Sequence, residues 1–272
     1  IGLVEGNFIT GFSIDEVSYV EDSLIVFSAQ EIYIDPDLSR IFLGTITLSE
    51  VVVKNLYYNH DNPIISNQQS NYRKRSFFSL NYEISSLILE KSIFIFMDNM
   101  YNLNGELALK YNNGYQIFIS NIDAGSSDFI SPLVFQGGTI EIKGNEITVS
   151  ELVVNSEWLS ANVNGKYNLE NINQISGKLI LNKFEYEFEG CRKIKIHKLV
   201  TEIKKRSNKL LLTSKFKLEY QDIILSEIQI NGILKDNIVK IDSALMMIDG
   251  DTLRYTGNFN LKNYGWNISI IL

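Results

Sequence analysis

The three carboxylates Glu185, Glu187 and Glu189, at alternate positions, are the best-spaced candidates for chemistry in this sequence. A pair of carboxyls across a cleft is the acid and base of glycoside hydrolysis. Here they alternate with Phe184, Tyr186 and Phe188 and precede Lys193 and Lys195, which describes a solvated charge ladder on the outer face of a strand. His197 lies on that same outward face and reads as a surface residue. His60 sits in a polar stretch with no suitable partner nearby, and Cys191 falls at a hairpin tip with no histidine beside it to generate a thiolate. No glycine-rich loop follows a strand and opens a helix, so nucleotide-binding motifs are absent; Gly137-Gly138 reads as a turn. One cysteine and two histidines leave no material for a disulfide or a Cys-based zinc cluster. The expectation is a protein that is not an enzyme, with no catalytic residues, no metal and no cofactor.

The elements that carry these residues belong to a folded chain. Its 272 residues are 45% hydrophobic and 21% charged with only three prolines, which excludes a disordered or collagen-like polymer. No apolar run approaches the ~20 residues of a membrane-spanning helix. A net charge of −7 argues against a nucleic-acid partner, because phosphate contacts need a basic surface. The chain opens on Ile1 and closes on Ile268-Ser269-Ile270-Ile271-Leu272, which reads as strand interior, so a piece of a longer protein is expected.

Alternation with period 2 dominates, the mark of half-buried strands. A loop over Gly190-Cys191-Arg192 would set Glu189 opposite Lys193 and Glu187 opposite Lys195, with Phe188 against Ile194 and Tyr186 against Ile196. Gly144-Asn145 would pair Ile142 with Ile147 and Ile140 with Val149. Asp236-Asn237 would pair Leu234 with Val239, and Asn112-Asn113-Gly114 would pair Leu109 with Ile117. One short helix is predicted over 36–43, with Asp35 as cap, Pro36 at its first position and Gly44 ending it. Residues 59–76, rich in Asn and Gln and ending in Arg73-Lys74-Arg75, read as a polar, mobile loop. Three sections follow: 1–58, an amino-terminal β section; 59–76, the loop; and 77–272, repeated β units that continue beyond the sequence. Trp158 and Trp266 read as large apolar fillers at strand ends.

The repeat is weak but in register. Gly165-Lys166-Tyr167-Asn168-Leu169-Glu170-Asn171 matches Gly257-Asn258-Phe259-Asn260-Leu261-Lys262-Asn263. Ser214-Lys215-Phe216-Lys217-Leu218 and Gly105-Glu106-Leu107-Ala108-Leu109 have the same form. Eighteen positions before the four small residues stand Ile147, Val239, Ile196 and Leu87, all apolar. A small residue in the apolar row of a strand removes bulk and relaxes the backbone. Stacked on neighbouring strands, Gly105, Gly165, Ser214 and Gly257 would crease a sheet lengthwise. The apolar lining would then be Leu103, Leu107, Leu109, Ala161, Val163, Tyr167, Leu169, Leu210, Leu212, Phe216, Leu218, Leu253, Tyr255, Phe259 and Leu261. Ordinary strand bends over a packed core are the alternative.

The amino-terminal stretch Gly11-Phe12-Ser13-Ile14-Asp15-Glu16-Val17, the strand Leu24 to Asp35 and the turn Asp37 to Leu48 leading into Val51-Val52-Val53 resemble the amino-terminal region of the AsmA-like family, in particular its TamB branch. The later repeats are similar to that family's strand units. The resemblance implies an all-β fold with at most one or two short helices: a long antiparallel sheet folded lengthwise into an open groove, a β-taco. It also implies a lipid-transport role, with phospholipid acyl chains in the hydrophobic groove of a bridge that crosses the periplasm of a two-membraned bacterium from inner to outer membrane. Anchorage in the inner membrane would come from a segment not present here. An outer-membrane β-barrel protein is the implied further partner, and outer-membrane biogenesis, as in the translocation and assembly module, the wider setting. The alternatives are a scaffold for β-barrel assembly or secretion, and an adhesive or carbohydrate-binding β-solenoid. Roughly fifteen to twenty strands at about 4.8 Å spacing would reach about 70 to 95 Å.

Overall fold

Side-chain alternation yields strands almost throughout the computed structural model, which describes residues 2–21, 24–43, 45–59, 81–96, 98–126, 131–170, 175–188, 192–206, 209–220, 223–235, 238–248, 251–260 and 265–271. The fold is all-β. Among the described residues the only helical element is a 3-10 turn, Leu38–Leu43. The chain divides into two units, Ile1–Lys143 and Gly144–Leu272, so the Gly144-Asn145 turn lies at their boundary in sequence. His60 and Arg73-Lys74-Arg75 lie outside the described residues, as do Cys191 and Leu261.

Unit 1 contains β1 (Val4–Asn7), β2 (Gly11–Glu21), β3 (Leu24–Asp37), β4 (Thr45–Lys54), β5 (Tyr57–Asn59), β6 (Asn81–Phe96), β7 (Asn99–Tyr111), β8 (Tyr115–Ser126), β9 (Leu133–Gln136) and β10 (Thr139–Lys143). The strands β1, β2, β3 and β4 pair antiparallel in sequence order, and β6, β7 and β8 do the same. Between these two groups the expected antiparallel pattern gives way. Both β4 and β5 pair parallel with β6, Val53 opposite Leu89 and Tyr57 opposite Ile93. Parallel neighbours need a returning connection of a dozen or more residues, and the interval 60–80 supplies that length. The sheet is therefore mixed.

Unit 2 is a plain antiparallel meander. It comprises β11 (Glu146–Asn155), β12 (Leu159–Asn168), β13 (Ser176–Phe188), β14 (Arg192–Arg206), β15 (Lys209–Tyr220), β16 (Ile223–Lys235), β17 (Ile238–Ile248), β18 (Asp251–Asn260) and β19 (Gly265–Ile271). Each pairs with the next.

Two of the expected hairpin registers are present, Leu109 opposite Ile117 and Leu234 opposite Val239. A third is displaced by two residues: Phe188 pairs with Arg192, Glu187 with Lys193 and Glu185 with Lys195. A shift of two preserves parity, so each side chain keeps its face and only its partner changes. The short helix is also corrected. Strand β3 runs through Pro36, which pairs with Leu48 where the ladder slips by a residue; a residue without an N–H fits at such a bulge. Asp37 rather than Asp35 then caps the 3-10 turn, its Oδ1 accepting from the Ser39 N–H at 3.0 Å and the Ser39 hydroxyl at 2.6 Å.

A transverse line of irregular backbone crosses unit 1. Glu16, Asn55 and Lys91 all have φ of 50°, and Gly105 has 143°. The registers set these residues on neighbouring strands at one level. The Asn55 side-chain amide donates to Gln30 Oε1, and the Lys91 N–H donates to Asn104 Oδ1. Unit 2 repeats the last device: Glu151, φ 54°, donates its N–H to Asn164 Oδ1 at 2.7 Å. In both, the bulged pair on one strand opposes an Asn followed by Gly, Asn104-Gly105 and Asn164-Gly165. The same two-against-one step falls opposite Thr256-Gly257. Such bulges bend a strand and increase its twist. Ser214 lies elsewhere: it pairs with Thr201, and the bulge between β14 and β15 faces Phe216.

Candidate functional site

Directly opposed residues in neighbouring strands point to the same face. In unit 2, Leu152, Val163, Leu179, Thr201, Ser214, Ile230, Ala244 and Tyr255 form one unbroken row across eight strands, β11 to β18. Beside it runs a second row, Val149, Gly165, Gly177, Ile203, Leu212, Gly232, Ile241 and Gly257. Apart from the Tyr255 hydroxyl, which donates to Met246 Sδ, the only polar side chains in either row are those of Thr201 and Ser214, whose hydroxyl oxygens are 2.9 Å apart and satisfy each other. These two rows are apolar across β11 to β18 apart from that pair and the Tyr255 hydroxyl, and Lys205 borders them opposite Leu210.

Four glycines thin the second row. At Gly177 an added Cβ would stand 2.5 Å from the Asn164 carbonyl oxygen and 2.9 Å from the Gly165 Cα, so only glycine permits this approach of β12 and β13. Beside the pair lies an apolar depression of about 280 Å³, walled by Ile147, Val149, Val163, Tyr167, Leu179 and Ile203. That is slightly below the roughly 300–1,000 Å³ of sites that enclose drug-sized ligands.

The described lining candidates within strands fall on such faces, although their covering differs; Leu169 follows the end of β12, and the Phe259 side chain lies outside what is described. Leu210 and Ala161 are buried, whereas Leu103, Leu107, Leu109, Val163, Leu212, Phe216, Leu218, Leu253 and Tyr255 are half-buried. Tyr167 is 38% and Leu169 55% exposed. In unit 1 the equivalent row is Ile14, Ile32, Val53, Leu89, Gly105, Ile122 and Phe135. Part of it is packed into a core of Ala29, Val51, Val53, Leu56 and Leu89. Ile147, Val149, Leu179 and Ile203 join this lining from outside the glycine-centred segments; simple alternation in β11, β13 and β14 is the signal that marks them.

The opposite face carries the charges. Lys178 lies opposite Glu202 at 3.8 Å, and Lys204 is 2.6 Å from the same carboxylate. Glu185 is 3.1 Å from Lys193, and the hydrogen bond from that lysine holds its carboxyl below the usual value of 4.5. Glu219 is 2.7 Å from Lys195 and 3.6 Å from His197 Nε2, with its pKa lowered chiefly by the Lys195 hydrogen bond. Of the carboxylate row, Glu185 is thus engaged by a lysine and Glu187 is exposed, while Glu189 lies outside the described residues. Trp158 packs edge-on against Phe184 with ring centroids 5.7 Å apart. Among the described residues, no group of His, Cys, Asp and Glu has the arrangement of a metal site, and no helix is long and apolar enough to cross a membrane.

No known protein family, curated protein or solved structure matches the chain.

Proposed function

We propose that this chain is a lipid-handling β-sheet, a segment of an AsmA-like periplasmic bridge that passes phospholipid between inner and outer membranes with acyl chains against its apolar face. The observation that carries this reading is the pair of apolar rows across eight strands, with glycines rather than bulky side chains along one of them. A half-covered apolar surface of that extent calls for a ligand. Each CH₂ removed from water contributes about 0.8 kcal/mol without regard to headgroup, so shallow affinity along the rows would hold a chain and still let it slide. The charge ladder on the other face keeps that side in water.

The test is mass spectrometry of lipid retained by the chain after purification in mild detergent and washing. Several phospholipids per chain are expected, with lipid lost in Val163→Asp and Phe216→Asp and kept in Thr213→Asp, which alters the polar face. Circular dichroism on each variant separates loss of lipid from loss of fold, and Leu179→Gln provides a milder second probe. A folded native chain without lipid, or retention unchanged in the apolar-face variants, would overturn the reading.

A further inference from the structure

The parallel pairing in unit 1 forms a crevice within that unit. Because β4 and β6 run the same way and β7 returns, Thr45, Asn81 and Tyr111 all come to one end of the sheet. Alternation places Tyr82 and Tyr111 on one face and Glu83 and Lys110 on the other. At the strand ends both sets border a single crevice of about 310 Å³, which Arg40 of the 3-10 turn also lines.

Arg40 Nη1 is 3.5 Å and Lys110 Nζ 3.8 Å from the same Glu83 oxygen, and Arg40 Nε is 3.9 Å from Asp37. Arg40, Lys110 and Glu83 line the crevice, and Asp37, beside Arg40 but outside the lining, offsets the second cation, so the four groups together carry no net charge. Its long contacts leave Arg40 and Lys110 donors and Glu83 lone pairs free to meet further partners. The Tyr82 and Tyr111 rings stack with centroids 5.2 Å apart and planes within 14°, and Tyr115 tilts onto Tyr111 at 5.0 Å. Burial, and then the hydrogen bond with Tyr115, pushes the Tyr82 hydroxyl up to about 12, so it stays protonated and neutral.

An aromatic floor beside charge-balanced, planar donors and acceptors is what a ring with apolar C–H faces and equatorial hydroxyls requires. An acyl chain would strand these polar groups, and an anion would find no excess positive charge. We infer that this crevice, formed by Tyr82, Tyr111, Asn81, Glu83, Arg40 and Lys110, binds a neutral sugar residue. A single sugar ring has few atoms to contribute, so a dissociation constant of about a millimolar is expected.

Saturation-transfer NMR on the full chain tests this with methyl glucoside, methyl galactoside, methyl mannoside and N-acetylglucosamine as probes. At least one should give a saturable signal, weakened about tenfold in Glu83→Gln and in Arg40→Gln, each of which removes a charge-assisted hydrogen bond. Both residues are partly exposed, so the variants should fold, as their thermal midpoints would report. Tyr111→Leu should abolish the signal while leaving lipid retention intact. No saturable signal from any of the four sugars would overturn the inference. So would a signal indifferent to all three substitutions, or one displaced by millimolar sulfate, which would mark the crevice as an anion site.

Discussion

The Thr201 and Ser214 hydroxyls lie 2.9 Å apart on adjacent strands, the one directly opposed polar pair in a row of mostly apolar side chains across eight strands of unit 2. Ser214 is only 8% exposed. Each hydroxyl is tolerated there because the other is present, since a buried polar group is costly only when it is unpaired.

A double-mutant cycle should expose that dependence. Thr201→Val or Ser214→Ala alone is expected to cost about 1–3 kcal/mol in urea unfolding, by stranding the remaining hydroxyl. The double variant should cost less than the two singles together. Strict additivity would show that the pair is not coupled.

At the bulge of β11, Asn164 accepts the Glu151 N–H at 2.7 Å while Glu151 holds a φ of 54°, a conformation that non-glycine residues seldom adopt. Asn164→Leu should destabilise the chain by about 0.5–1 kcal/mol and speed exchange of the Glu151 amide proton, whereas Asn164→Asp keeps an acceptor and should preserve protection. Equal exchange rates in the native chain and the Leu variant would show the side chain to be incidental to the bulge.

Ser92 in β6 is fully buried, at 0% exposure, and its Oγ has no hydrogen-bond partner among the described residues. Ser92→Ala removes that orphan hydroxyl with little change in volume. Stability should rise by about 1 kcal/mol, read as a higher urea midpoint at an unchanged slope. A lower midpoint would reveal an unrecognised partner for the hydroxyl.

The charged face sets the pH response. The folded-state pKa values of Glu185, Glu202 and Glu219 are lowered from 4.5, in each case first by a lysine hydrogen bond. Their contribution is therefore complete above the ordinary carboxylate value and disappears as pH falls through the lowered folded values. Lys195, raised above 10.5 chiefly by its hydrogen bond with Glu219, acts in the opposite sense: its contribution is present below 10.5 and is lost as pH rises through the raised value. The thermal midpoint should fall by a small amount on acidification below about pH 4.5, the effect being limited because these pairs are exposed. The triple variant Glu185→Gln, Glu202→Gln, Glu219→Gln should flatten that decline; an identical acid slope in the variant would place its origin elsewhere.

Which face each side chain takes was legible from alternation alone. Phe184 and Ile196, or Glu185 and Lys195, share a face whether the hairpin closes over 190–192 or two register steps away, because parity survives an even shift. Register itself depends on which turn the chain finds most favourable, and that is settled by contacts along both strands. The crease candidates show the same divide. Gly105, Gly165 and Gly257 were visible as small residues in apolar rows, and each stands beside a bulge. The positive-φ residues Glu16, Lys91, Glu151 and Lys198 were not visible, since nothing in their chemistry announces that conformation; cross-strand pairing imposes it. Ser214 matched the repeat in sequence but pairs with Thr201 away from the bulge.

By itself the sequence determined an all-β chain with one apolar and one charged face, because the period of its side chains admits no other regular structure. Only the tertiary structure decided that β4 and β6 run parallel, that Gly165 and Gly177 meet beside an apolar depression, and that Tyr82, Glu83 and Arg40 share one crevice. Those juxtapositions join residues between 12 and 43 positions apart. Local periodicity carries no information about such meetings; they follow from which strands the folded sheet brings side by side.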